Sequence, residues 1–384
     1  VTRRRLLAAT FGFVVVAHTD GPARADDASV AADAGEFADA CGAPDEALER
    51  VARRLAENTS VDAHADRSRP MPEADELAGW LRAERVPHVW PRAFRMVARG
   101  SALASARATL AAWAGRTEPV GEKRCGVAVV KSASGATVVA AVLVDAVAEL
   151  AALPQRVRPG EWFTVEATTL RSARSAHVVV MGPNGVPRRV PTAVRGRVVR
   201  ARVALERAGI FRVQVVADLG SGPRPVLEAD VFAGDETIPE VLSEPHVPGE
   251  DAVLGPSEDA SDLLFRMTNV ARQRAGLPPL RRSARLDRVA REHADRMRRE
   301  QTAAHDLGEG DPAARLRAAG IPFRLVGENV AHAADVRRAH RALYASPSHR
   351  ANTLRAQFEE AGVAVVHDER GAAWVVVLFA AGSR

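Results

Sequence analysis

Two stretches of this 384-residue chain are built alike. Near the C-terminus, Gly362-Val363-Ala364-Val365-Val366 leads through Gly371-Ala372 to the apolar run 375–379. In the same arrangement 236 residues earlier, Gly126-Val127-Ala128-Val129-Val130 leads through Gly135-Ala136 to the run 138–144. Short Val-rich runs on either side of a glycine-bearing connection predict buried hairpins. Upstream, Leu81-Arg82-Ala83 and Pro87 echo Leu316-Arg317-Ala318 and Pro322 at an offset of 235. Two matches at nearly one offset predict an internal repeat. The alternative, that any two Val-rich hairpins look alike, stays open at this level.

Helical periodicity surrounds both hairpins and sets the fold class as α+β. Leu48, Val51, Ala52, Leu55 and Ala56 share one helical face, and Leu77, Trp80 and Leu81 share another. In the last third, Leu263, Met267 and Val270 mark a helix stopped by Gly276 and Pro278-Pro279. Leu286, Val289, Ala290, His293, Ala294 and Met297 form a stripe that leaves Arg285, Arg288 and Arg291 to solvent, which makes His293 a core histidine rather than a ligand. Asp311-Pro312 starts a helix ended by Gly320, and Asp335 caps one whose Val336, Ala339, His340, Leu343 and Tyr344 face inward.

Between these halves lie short apolar runs at 162–167, 178–181, 198–205, 210–216 and 226–232, with turn chemistry at Gly182-Pro183-Asn184-Gly185. Strands at that spacing predict an all-β, immunoglobulin-like sandwich over 153–235. No residue in it asks for chemistry, so it is expected to space or bind. Residues 236–260 turn acidic and carry Pro239, Pro245, Pro248 and Pro256, which predicts a linker.

Arg3-Arg4-Arg5, the apolar run 6–17 and Ala23-Arg24-Ala25 read as a signal peptide over 1–25, of either the Sec or the twin-arginine type. A bilayer needs ~20 apolar residues in a helix, so cleavage is expected rather than a transmembrane anchor. Export places Cys41 and Cys125, the only cysteines, where a disulfide persists, and their pairing is the economical reading. The net charge is +5 and the basic residues are nearly all Arg, without aromatics interleaved in a basic tract, so no nucleic-acid partner is expected.

Three phrases occur in order in the last third: Gly327-Glu328-Asn329, Ser346-Pro347-Ser348-His349-Arg350, and the hairpin beginning at Gly362. With the helix 286–297 and His305, this order resembles the CAP superfamily (the SCP-like extracellular domain of cysteine-rich secretory, antigen 5 and pathogenesis-related proteins), in its bacterial branch. The resemblance implies a three-layer α-β-α sandwich over 261–384 and an open cleft where His305, Glu328 and His349 converge. It also makes 26–152 a degenerate CAP-like α/β domain: Ala93 stands where Glu328 would, Trp113 where His349 would, and His64 lies six residues from the place of His305.

Two imidazoles and a carboxylate leave one position open on a divalent metal such as zinc, and Glu328 could instead serve as a general base. The family's second acid is missing, because Leu343 replaces the preceding Trp and Ser346 falls at the acid. His340 is a further ligand candidate, with core packing the favoured role, and Ser346 as a nucleophile is weaker still. The expectation is an exported binding module for an apolar small molecule, a cell-envelope component or a protein. The alternative is a metal-dependent hydrolase using His305, Glu328 and His349.

Overall fold

The computed structural model describes residues 37, 40–58, 71–72, 74–98, 102–116, 119–131, 136–183, 185–220, 222–235, 247 and 259–382. The expected leader, His64 and the linker apart from Val247 and its last residues lie outside the described residues. These fall into two compact units, one ending at Val147 and one beginning at Ala148.

The first unit runs β1 (Ala43–Pro44), α1 (Glu46–Glu57), α2 (Ala74–Ala83), β2 (Arg92–Ala98), α3 (Ala102–Gly115), β3 (Glu122–Lys131) and β4 (Thr137–Ala146). Its sheet has the order β1-β3-β4-β2. Because side chains alternate along a strand, β4 serves two cores. Val138, Ala140, Val142 and Val144 pack with α1 and α2. Val139, Ala141 and Leu143 pack on the other face with Leu110 and Trp113 of α3. Asp45 caps α1 by accepting from Leu48 N–H at 3.0 Å. Cys41 and Cys125 form a disulfide with Cα atoms 5.8 Å apart.

The second unit opens with a two-sheet β-module. In chain order it has β5 (Ala148–Leu150), β6 (Arg156–Val157), β7 (Trp162–Thr169), β8 (Ser175–Met181), β9 (Arg188–Val190), β10 (Thr192–Arg195), β11 (Val198–Ala204), β12 (Gly209–Asp218) and β13 (Pro223–Ala233). One sheet is β10-β11-β7-β5 and the other β6-β13-β12-β8-β9. The module thus begins at Ala148 rather than at 153, since β5 pairs with β7. On β11, Val199, Ala201 and Val203 are buried and their neighbours are not, the mark of a sheet with one wet face. On β12 the alternation fails: every residue from Val213 to Ala217 is buried, Gln214 included. Something must cover the outer face there.

The cover is the C-terminal module. It comprises α4 (Ala260–Arg274), β14 (Arg281–Arg282), α5 (Ala284–Glu300), α6 (Pro312–Ala318), β15 (Leu325–Ala333), α7 (Val336–Ala345), α8 (Pro347–Thr353), β16 (Glu360–His367) and β17 (Ala373–Ala381). The sheet order is β14-β16-β17-β15, with α4 and α7 packed on one face and α5 and α6 on the other. The α5 stripe is buried as its spacing predicts. On α4 the buried residues are Ser261, Leu264, Met267, Thr268, Ala271 and Arg272, so Leu263 and Val270 sit at the margin of the stripe.

The sheet of the first unit and that of the C-terminal module share strand order and sense, each with a short parallel first strand. Register agrees too: Ala93 lies opposite Val142 as Glu328 lies opposite Leu378. In both, a glycine lets a helix backbone touch the sheet. A Cβ on Gly126 would stand 2.0 Å from the backbone of Leu48 and Glu49, and one on Gly362 2.2 Å from that of Leu286.

Gly362→Ala is therefore expected to push α5 off the sheet and cost about 1–3 kcal/mol or more, seen as faster hydrogen exchange in peptides spanning 360–381. Cys125→Ser opens a disulfide of sequence separation 84. It is expected to cost the first unit up to about 4 kcal/mol, and the denaturation midpoint of the variant should no longer respond to reductant.

Candidate functional site

β15 is the outermost strand of its sheet, so helices from both faces reach its edge. Successive residues on it point to opposite faces. Glu328 turns to the α5 side, where Leu378 also packs. Asn329 turns to α8.

Glu328 is almost fully buried, with 4% of its surface exposed, and both of its oxygens are occupied. Oε1 accepts from Nδ1 of His305 at 2.8 Å, and Oε2 accepts from Nη2 of Arg315 at 2.7 Å. Arg315 Nη2 also donates to the His305 carbonyl at 3.1 Å, fixing the loop that carries this histidine. His293 lies behind, its Nε2 3.8 Å from Glu328. That nitrogen donates to the Ala304 carbonyl at 2.8 Å, and Nδ1 meets Glu309 Oε1 at 2.6 Å. Burial by itself would raise the Glu328 pKa. The charges of Arg315 and His293 and the His305 hydrogen bond outweigh it and hold the carboxyl below its usual range.

His305 spends its Nδ1 proton on Glu328, which leaves Nε2 as the outward nitrogen. His349, on α8, is placed through its backbone: its carbonyl accepts from Asn329 Nδ2 at 2.9 Å and from Thr353 Oγ1 at 3.1 Å. Its ring has no hydrogen-bond partner among the described residues. Burial, and then the charge of nearby His305, lower its pKa from 6.5 to about 3, so the imidazole is neutral. Asn329 completes the frame by accepting from Asn352 Nδ2 at 3.0 Å. Gly327 is small because a Cβ there would stand 2.7 Å from the Phe358 ring.

The β-module reaches this site. Gln214 Nε2 donates to Ser346 Oγ at 3.3 Å, and Gln214 Oε1 accepts from Ser348 N–H at 3.0 Å. Arg212 Nη1 donates to the Ala345 carbonyl at 3.2 Å, and Arg350 Nη1 lies 3.6 Å from Met181 Sδ. A Cβ on Gly222 would come within 2.9 Å of His305 Cβ. Ser346 is thus bonded to an amide and not to an imidazole, so no nucleophile–base couple forms there.

The sequence of residues 265–379 matches the family described as the cysteine-rich secretory protein family, CAP. Residues 265–379 are a CAP domain. Among solved structures, an outer surface protein from Borrelia burgdorferi shares 23% identity over 34% of this chain and 100% of its own, with a TM-score of 0.31. An extracellular protein containing a SCP domain from Bacillus anthracis shares 19% identity over 59% of this chain and 89% of its own, with a TM-score of 0.30. A cysteine-rich secretory protein from Staphylococcus aureus shares 14% over 56% and 77%, with a TM-score of 0.26. No curated protein matches the chain.

The CAP domain thus brings His305 and Glu328 into direct contact and sets His349 within electrostatic reach. A catalytic zinc site takes three protein ligands. Among the described residues, no group of three or more His, Cys, Asp or Glu is arranged to hold a metal ion. Both Glu328 oxygens already accept a hydrogen bond, one from His305 and one from Arg315. As a carboxylate with both oxygens engaged and its pKa lowered, it is also a poor general base. As they stand, the three residues are not arranged as a three-ligand metal site, and Glu328 is bonded to His305 Nδ1. His340 is buried against Tyr344, ring centroids 6.3 Å apart, with no bond to this cluster among the described residues.

Sequence reasoning missed Arg315, His293 as a neighbour of Glu328, Gln214 and Gly222. One signal was available for Arg315: it precedes Leu316 on a short helix whose buried side it shares. Nothing in the β-module's strand pattern marks Gln214 except a lone amide within 210–216.

Glu328→Gln would leave the Arg315 charge buried without its partner and is expected to cost about 3–5 kcal/mol. The double variant Glu328→Leu with Arg315→Leu should recover much of that in urea denaturation. Burial, and then Arg341, lower the His340 pKa from 6.5 to about 4. The unfolded chain thus binds a proton that the fold refuses, and this contribution to stability is present above pH 6.5 and lost as pH falls towards 4. In His340→Phe the slope of stability against pH in that window should flatten by about 1.4 kcal/mol per unit.

Proposed function

We propose that this chain is an exported binding protein whose CAP cleft, floored by Glu328 and flanked by His305 and His349, engages a component of the cell envelope. The observation that carries this is the state of Glu328. Its oxygens are each engaged, by Arg315 and His305, and it stays ionised, so this carboxylate is a rigid polar floor rather than a free base. A binder needs shape and fixed donors, whereas a hydrolase needs a group free to take a proton.

Export is supported by the Arg3-Arg4-Arg5 start with its apolar run, and by the Cys41–Cys125 disulfide, which persists in an oxidising compartment. No helix among the described residues is long and apolar enough to cross a membrane. In this reading the first unit is a second, site-less CAP-like repeat: its sheet order matches, Ala93 takes the register position of Glu328, and Arg92 stacks on Trp113 at 4.8 Å. The two-sheet module is immunoglobulin-like.

The test uses the full chain without its leader, incubated with peptidoglycan sacculi, with phosphatidylglycerol vesicles and with a sterol in detergent. Retention by one of these, weakened at least tenfold in His305→Ala and His349→Ala, is the expected result. An apolar small molecule would show as sterol binding alone. Hydrolysis of a peptide substrate that a chelator and His305→Ala both abolish would overturn the reading in favour of a metal-dependent hydrolase.

A further inference from the structure

Two imidazoles of the CAP domain, those of His305 and His349, lie where a second module is docked. Three independent contacts place it there. Gln214 holds the start of α8 through Ser346 and Ser348, three and one positions before His349. Arg212, itself paired with Asp230 at 3.1 Å and Glu228 at 3.5 Å, holds the end of α7 through the Ala345 carbonyl. Gly222 packs against His305 so closely that no side chain fits between them. The burial of β12 on both faces says the same from the other side. In consequence the His305 side chain is 12% exposed, although its Nε2 points away from Glu328.

We propose that the β-module is part of the site, with Gln214 and Gly222 as the residues that determine what reaches His305 and His349. While Gln214 stays bonded to Ser346 and Ser348, the imidazoles are closed to folded proteins and glycan strands and open only to small solutes. A polymeric or protein partner then needs the module to lift. The specificity of the CAP cleft is in this way set by residues outside the CAP domain. The inference rests on the cleft being the binding site, but its test reads the imidazoles directly and needs no ligand.

The full chain is treated with diethylpyrocarbonate, and carbethoxylation of each histidine is followed by mass spectrometry. Exposed His367 serves as the fast reference, and His293, whose side chain is 0% exposed, reports loss of fold. In the wild-type chain His305 is expected to react at least tenfold more slowly than His367. Gln214→Met keeps the side chain's length without its hydrogen bonds, and Arg212→Met releases α7. Each is expected to raise the His305 rate at least fivefold with His293 still unreactive. If His305 matches His367 in the wild-type chain, or if its rate stays within twofold in both folded variants, the proposal is overturned. The wild-type comparison decides even where a variant fails to fold. A cleft that binds none of the envelope probes, with His305 shielded and then released, would overturn the proposed function alone.

Discussion

One buried ion pair holds the CAP site together. The Arg315 guanidinium bridges Glu328 and the His305 carbonyl, tying a short helix, the edge strand and the loop before that helix at one point. Buried charges are costly to strand, and a pair like this stabilises mostly by never being broken. Its structural consequence is orientation. With Oε2 held by Arg315, Oε1 faces His305, and the tautomer of that ring follows. The same pair keeps Glu328 charged and hydrogen-bonded at both oxygens, which makes this carboxylate a poor base.

The edge position of β15 matters as much. A central strand would offer each face to one helical layer only, and the two imidazoles would be separated by the sheet. At the edge, Glu328 and Asn329 point to opposite sides, yet both contribute: one grips His305, the other pins the backbone of His349. The sheet of the first unit has the same order, with Ala93 and Phe94 in these places. There Phe94 packs 5.4 Å from Trp113, and an apolar core stands where the CAP domain keeps polar groups. The glycine at the helix–sheet contact is present in both, because it serves packing rather than the site.

The sequence carried the scaffold well and the site less well, for a physical reason. Helix stripes and strand runs are local and periodic, so α1, α5, α7 and the paired hairpins could be read from spacing. The two short parallel strands, β1 and β14, and the marginal strands of the β-module carry too few residues to show a period. At the site, His305, Glu328 and His349 came from the order of three phrases. Their roles depend on partners that no phrase contains. Arg315 turns Glu328 from a ligand candidate into an orienting group, and Gln214 turns the Ser346-to-Arg350 segment from a free turn into a docked one. Long-range polar contacts leave no periodic trace.

The CAP match begins at residue 265, but the compact unit begins at Ala148. Strand β12, sealed on both sides, is the reason. A sheet face carrying Arg212, Gln214, Glu228 and Asp230 is matched in polarity to the α7–α8 corner and would be wet and mismatched elsewhere. The two modules therefore share one polar seam, and the strand's outer face is constrained by the α7–α8 corner that covers it.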